Sequence, residues 1–169
     1  HYSVPDNIEP RAITVLDKEL PYTMLRSTWK VKSEPITELG SFYYSIKQDL
    51  FFTLVNARLQ ELSHQSNPPF SFAYIYNQNW LKGFVATDCI MFANEGQSEE
   101  AFRTLITELA RVRQHGFQPG ELDRAKQIMI REAEQRVAEK KTMNSEDLVW
   151  EILDDANSGN TILSFEQYE

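Results

Sequence analysis

From Tyr22 to Lys32 the chain alternates. Leu25, Ser27, Trp29 and Val31 fall on one side of an extended backbone, and Arg26, Thr28, Lys30 and Lys32 fall mostly on the other. A period of two is what a half-exposed strand requires. RAITVLD, residues 11–17, also reads as a short strand, and the turn-like DKELP after it suggests that the two form an antiparallel pair. From Thr37 to His64 the period becomes helical: Leu39, Phe42, Tyr43, Ile46 and Leu50 make one stripe, and Phe51, Val55, Leu59 and Leu62 a second. Two stripes predict a helix packed on two sides. At 1.5 Å per residue it spans roughly 40 Å, long enough to organise a core. Asn67-Pro68-Pro69 ends it.

Residues 69–96 read as two strands around a turn near Asn79 to Gly83. Phe70, Phe72, Tyr74 and Tyr76 alternate along the first, and Ile90, Met91 and Phe92 form an apolar run in the second. Ser98 is the expected N-cap of the next helix, with Phe102, Leu105, Ile106 and Leu109 as its inner face. Gly116 suits a left-handed C-terminal cap, and Pro119 suits the first position of a further helix with Glu121 and Asp123 near its positive end. That helix turns Leu122, Ala125, Met129, Ala133 and Val137 inward and runs to Lys141. Asn144 or Ser145 caps a last one, SEDLVWEILDD. Strands that arrive in adjacent pairs predict an α+β domain, a mostly antiparallel sheet with helices on one face. Its expected extent is 11–158, with 1–10 a linker from a preceding domain and 159–169 the start of a following segment. His1 in place of methionine, and the helix-like SFEQYE at the end, fit a piece of a longer protein.

A length of 169 residues, 41% of them hydrophobic, can bury one core. The net charge of -8 and the lack of any basic stripe argue against nucleic acid as a partner. No run of about eighteen apolar residues is present, so no membrane-spanning helix is expected.

Catalytic chemistry is hard to find. His1, His64 and His115 are the only histidines and Cys89 the only cysteine, so neither HExxH nor HxxEH nor a thiolate zinc site can be built. Neither GxSxG nor a glycine-rich phosphate loop occurs. Cys89 reads as a buried small hydrophobe, and His64 and His115 as helix-end residues. No catalytic residue, metal ligand or cofactor is therefore assigned to this chain. One feature could bind a ligand: Phe70, Phe72, Tyr74 and Tyr76, with Trp80 just beyond, could contact an extended peptide laid along the sheet. The competing and preferred reading places these rings in the core against the long helix.

The run as a whole resembles the insulinase and pitrilysin family of zinc metallopeptidases, the inverzincins. The resemblance rests on Arg58, Leu59 and Leu62 closing the first long helix, and on Gly116, Phe117, Glu121, Leu122, Arg124, Ala125 and Lys126 joining two later ones. It extends from about Ile13 to Asn157 and implies one of several similar α+β subdomains enclosing a peptide-holding chamber, as in the larger bacterial members. The family's HxxEH is absent, so the resemblance implies a non-catalytic scaffold or wall, with zinc held elsewhere in the parent. Its partners would be other domains of the same chain and the parent's peptide substrate. The family's substrate-gripping arginine and tyrosine pair has no match between Phe70 and Trp80, so that role is not transferred. A second reading is a subdomain of an inactive homologue serving assembly, and a third is an unrelated peptide-binding domain. Bacterial periplasm and cytoplasm both stay open.

Overall fold

The computed structural model describes residues 9–140 and 144–162, so part of the expected linker, Lys141 and the SFEQYE segment lie outside the described residues. In chain order the elements are β1 (Thr23–Lys32), α1 (Leu39–Ser63), β2 (Phe70–Leu81), β3 (Phe84–Ala93), α2 (Ser98–His115), α3 (Pro119–Lys140) and α4 (Ser145–Ser158). The strands make one antiparallel sheet in the order β1-β3-β2. The α+β expectation holds. Lys82 and Gly83 form the tight turn of the β2–β3 hairpin, with Gly83 at φ 81.

Burial follows from the register. Cys89 and Met91 of β3 stand opposite Ile75 and Ala73 of β2 and Ser27 and Leu25 of β1. All of these point to the side where Val55 and Leu59 of α1 and Ala101 and Leu105 of α2 complete the core. Asn56 ties α1 to the outer edge of β2: its amide donates to the Ile75 carbonyl at 2.9 Å and accepts from the Ile75 N–H at 2.8 Å. That edge is thus partly capped by a side chain standing in for a strand.

Several expectations need correction, and on α3 Ala133, expected inward, is exposed. RAITVLD is not a strand; residues 11–17 have no regular structure. β-branched residues favour extended backbone but cannot form a ladder without a partner. Pro21, just ahead of β1, has no N–H to donate to one. The buried residues of α1 lie in its C-terminal half, Leu54, Val55 and Leu59, whereas Leu39, Phe42, Tyr43 and Ile46 are exposed. On α2 the inner stripe is Ala101, Leu105, Glu108 and Val112, with Phe102 and Ile106 outside; a charged member hid the stripe. Gln97, not Ser98, is its N-cap residue.

The ends of α4 are as the residues suggest. Asn144 caps α4 by accepting from the Asp147 N–H at 2.9 Å, and Gly159 ends it in the left-handed region. Gly116 has positive φ (67) but an extended ψ of -149, so it redirects the chain without forming a left-handed cap. After α4, the Thr161 N–H donates to the Ile36 carbonyl (2.8 Å) and Asn160 Oδ1 accepts from the Ile36 N–H (2.9 Å). The end of α4 is thereby anchored beside the entry to α1.

Candidate binding face

The sheet has a second side, and no described helix covers it. Phe72, Tyr74 and Tyr76 of β2 stand opposite Phe92, Ile90 and Asp88 of β3, while Met24, Arg26 and Thr28 of β1 complete the rows. A β-bulge between Phe70 and Phe72 sets the arrangement. Residues two apart normally share a face. The irregularity lets Phe70 turn inward, 0% exposed, while Phe72 turns outward, 48% exposed. The aromatic row was expected in the core against α1; Phe70 is there, but Phe72 and Tyr74 lie on the opposite face. Trp80 falls within β2, and its side chain lies outside what is described.

The rings form a continuous strip. Tyr22 meets Phe92 edge-on at 5.2 Å between centroids, Phe92 lies 5.9 Å from Phe72, Phe72 stacks on Tyr74 at 6.3 Å, and Tyr74 lies 6.0 Å from Tyr76. Such spacings are those of favourable aromatic pairs. Beside the strip, the Arg26 guanidinium donates to both carboxylate oxygens of Asp88, at 3.2 and 2.6 Å, and the Thr28 hydroxyl donates to the same carboxylate. Asp88 is fully buried beneath them. The Arg26 hydrogen bonds, helped by that of Thr28, hold its carboxyl below the usual carboxylate range against the opposing effect of burial. Sequence reasoning missed this pair. An acid directly before the apolar run Cys89 to Phe92 was the available signal, since a buried carboxylate needs a partner.

Beneath the sheet, a second ionic cluster fixes the helices. Arg58 of α1 donates to Glu121 Oε1 and Oε2 at 2.6 and 2.9 Å, to Glu108 Oε1 at 2.9 Å and to the Gly116 carbonyl at 3.1 Å. Its guanidinium also lies 4.9 Å over the Phe117 ring. The Arg58 hydrogen bonds bring the Glu121 carboxyl down to about 2. The motif residues Arg58, Gly116, Phe117 and Glu121 are therefore one clamp joining α1 to the α2–α3 connection, and their work is structural.

The remaining reactive groups stay apart. Cys89 is buried in the core, where desolvation raises its thiol to about 11, so the nucleophilic thiolate is suppressed. His64 Nδ1 contacts the Gln60 carbonyl at 2.8 Å beyond the end of α1, and His115 ends α2. Among the described residues no group of three or more His, Cys, Asp or Glu side chains is placed to hold a metal ion. No described helix is long and apolar enough to cross a membrane.

No protein-family model and no curated protein sequence matches the chain. Solved structures do. The periplasmic protease PqqL from Escherichia coli superposes on 90% of this chain with a TM-score of 0.78 at 21% identity. A structure of the first half of PqqL matches as well, at 0.78 and 20% identity. A predicted insulinase family protease from Yersinia pestis covers 89% at 0.74 and 14% identity. This chain spans only 17%, 33% and 32% of those three chains, respectively. At such identities the likeness is one of architecture, and it says that the chain has the fold of one lobe of an insulinase-family protease.

Proposed function

We propose that the chain is a non-catalytic wall lobe of a larger zinc metalloendopeptidase that degrades peptides, and that its open sheet face touches the substrate. The observation that carries this reading is the recurrence of its fold, over 90% of its length, as a minor part of a protease chain. In this reading the metal ligands and the hydrolytic step belong to another domain. Zinc there would activate water and polarise the scissile carbonyl.

This lobe contributes surface. Phe72 and Tyr74 retain nearly half of their accessible area, and the stacked strip holds them in place before any ligand arrives. Flat ring faces give contact area at low conformational cost and tolerate varied side chains. Removing one such contact removes about 1–2 kcal/mol, a 5- to 30-fold effect on affinity.

The test uses the intact polypeptide that contains this lobe, assayed on unstructured peptides. Hydrolysis is expected, with loss on chelation and recovery with zinc, while the 169-residue chain alone is inert. Phe72→Ser in the intact polypeptide should raise KM about 5- to 30-fold with kcat little changed. Stoichiometric zinc bound by the 169-residue chain, or an intact polypeptide inert toward every peptide, would overturn the reading.

A further inference from the structure

We propose that residues 12–16 are a donor strand that pairs with the exposed sheet edge of a neighbouring lobe of the same polypeptide. The inference rests on the wall-lobe reading and names the partner of this end of the lobe. Ile13, Val15 and Leu16 are 90%, 78% and 92% exposed, values unusual for three large aliphatic side chains within four residues. No backbone hydrogen bond joins residues 11–16 to another described segment. Ile13 and Val15 project to one side of an extended chain and Thr14 to the other, the composition and alternation of a strand. Left in water, such a segment is an aggregation hazard that folded proteins cover.

What would cover it is set by chemistry. A segment with unpaired N–H and C=O groups and alternating apolar side chains is satisfied by a sheet edge, which supplies both the ladder and the apolar neighbours. Within this lobe the β2 edge is occupied at Ile75 by Asn56, and Pro21 stands between the segment and β1. A second copy would bring together two bodies of net charge -8 each, which opposes self-association. The matched protease chains are three to six times longer than the part this chain spans, which leaves room for further lobes. A lobe of this same architecture would offer the outer edge of its own first strand.

Hydrogen exchange followed by mass spectrometry distinguishes the occupants. In the 169-residue chain the amides of Thr14 to Leu16 should exchange at close to the rate of an unstructured peptide. In the intact polypeptide they should slow by at least about 100-fold, the range of sub-global opening. Val15→Pro, which removes one ladder donor, should abolish that slowing while β1, β2 and β3 stay protected. Val15→Lys, which keeps the N–H, should weaken it. Fast exchange in both forms overturns the proposal. Protection already present in the short chain also overturns it, in favour of a second copy if it grows with concentration and of the chain's own sheet edge if it does not. Peptide hydrolysis is read separately, so failure of the donor strand and failure of the wall-lobe reading are distinct results.

Discussion

Arg58 shows how one side chain can make a helix junction depend on pH. Its bidentate bond to Glu121 lowers the Glu121 carboxyl from an ordinary 4.5 to about 2. A depressed carboxyl stabilises the fold above its unfolded value, and the contribution is lost as pH falls through the folded value. The window is therefore 4.5 down to 2, with less stability at the acid end. Both partners are mostly buried, with side chains 17% and 19% exposed, so the contribution at pH 7 is on the order of 2–3 kcal/mol. Glu121→Gln should cost about that much in urea denaturation at pH 7. The gap to the unsubstituted chain should close between pH 4.5 and 2, and Arg58→Ala should remove the larger part of the pH dependence assigned to Glu121, the Gln118 N–H and the Arg124 charge keeping the rest. A gap that stays constant across that range would rule out the ion pair as its source.

At the scale of elements, two glycines that look alike in sequence have different duties. Gly159 ends α4 at φ 78 and ψ 18, a left-handed conformation that asparagine also adopts. Gly116 ends α2 at φ 67 and ψ -149, a region essentially reserved for glycine. A Cβ at Gly116 would meet nothing within 4 Å, so any cost there comes from the backbone and not from a clash. Thermal or urea unfolding should show Gly159→Asn costing under about 1 kcal/mol and Gly116→Asn about 1–3 kcal/mol; equal costs would contradict the distinction. The sequence marked both as helix ends, because glycine after a periodic run is a local signal. It could not separate their conformations, since ψ at Gly116 depends on where Arg58 holds the carbonyl. The same limit explains other differences. The bounds of α1, the β2–β3 hairpin and the Asn144 cap are written in local pattern. The β2 bulge and the unpaired state of residues 11–17 depend on neighbours distant in sequence, and so does the inward turn of Glu108. The candidate face was legible as a row of aromatic residues, but not as to which side of the sheet it occupied.

For the whole molecule, the layering is one-sided: helices cover one face of a three-stranded sheet and leave an aromatic strip on the other. Phe70 and Phe72 test this directly, because they share a residue type and a strand yet sit in opposite layers. Phe70 is enclosed by the core of α1 and α2, so Phe70→Ala combines lost burial with a cavity and should cost about 3–5 kcal/mol. Phe72 keeps 48% of its surface in water and loses only its contacts with Tyr74 and Phe92, so Phe72→Ala should cost about 1 kcal/mol in the 169-residue chain. The contrast is read from urea midpoints at constant slope, with an unchanged slope showing that the native state has kept its compactness. Similar costs at the two positions would mean that the outer face is covered in the isolated chain, and it could not then be a surface kept open for a peptide. A large difference instead identifies Phe72 as a side chain whose position the stability of the lobe does not explain, which is the condition a contact residue must meet.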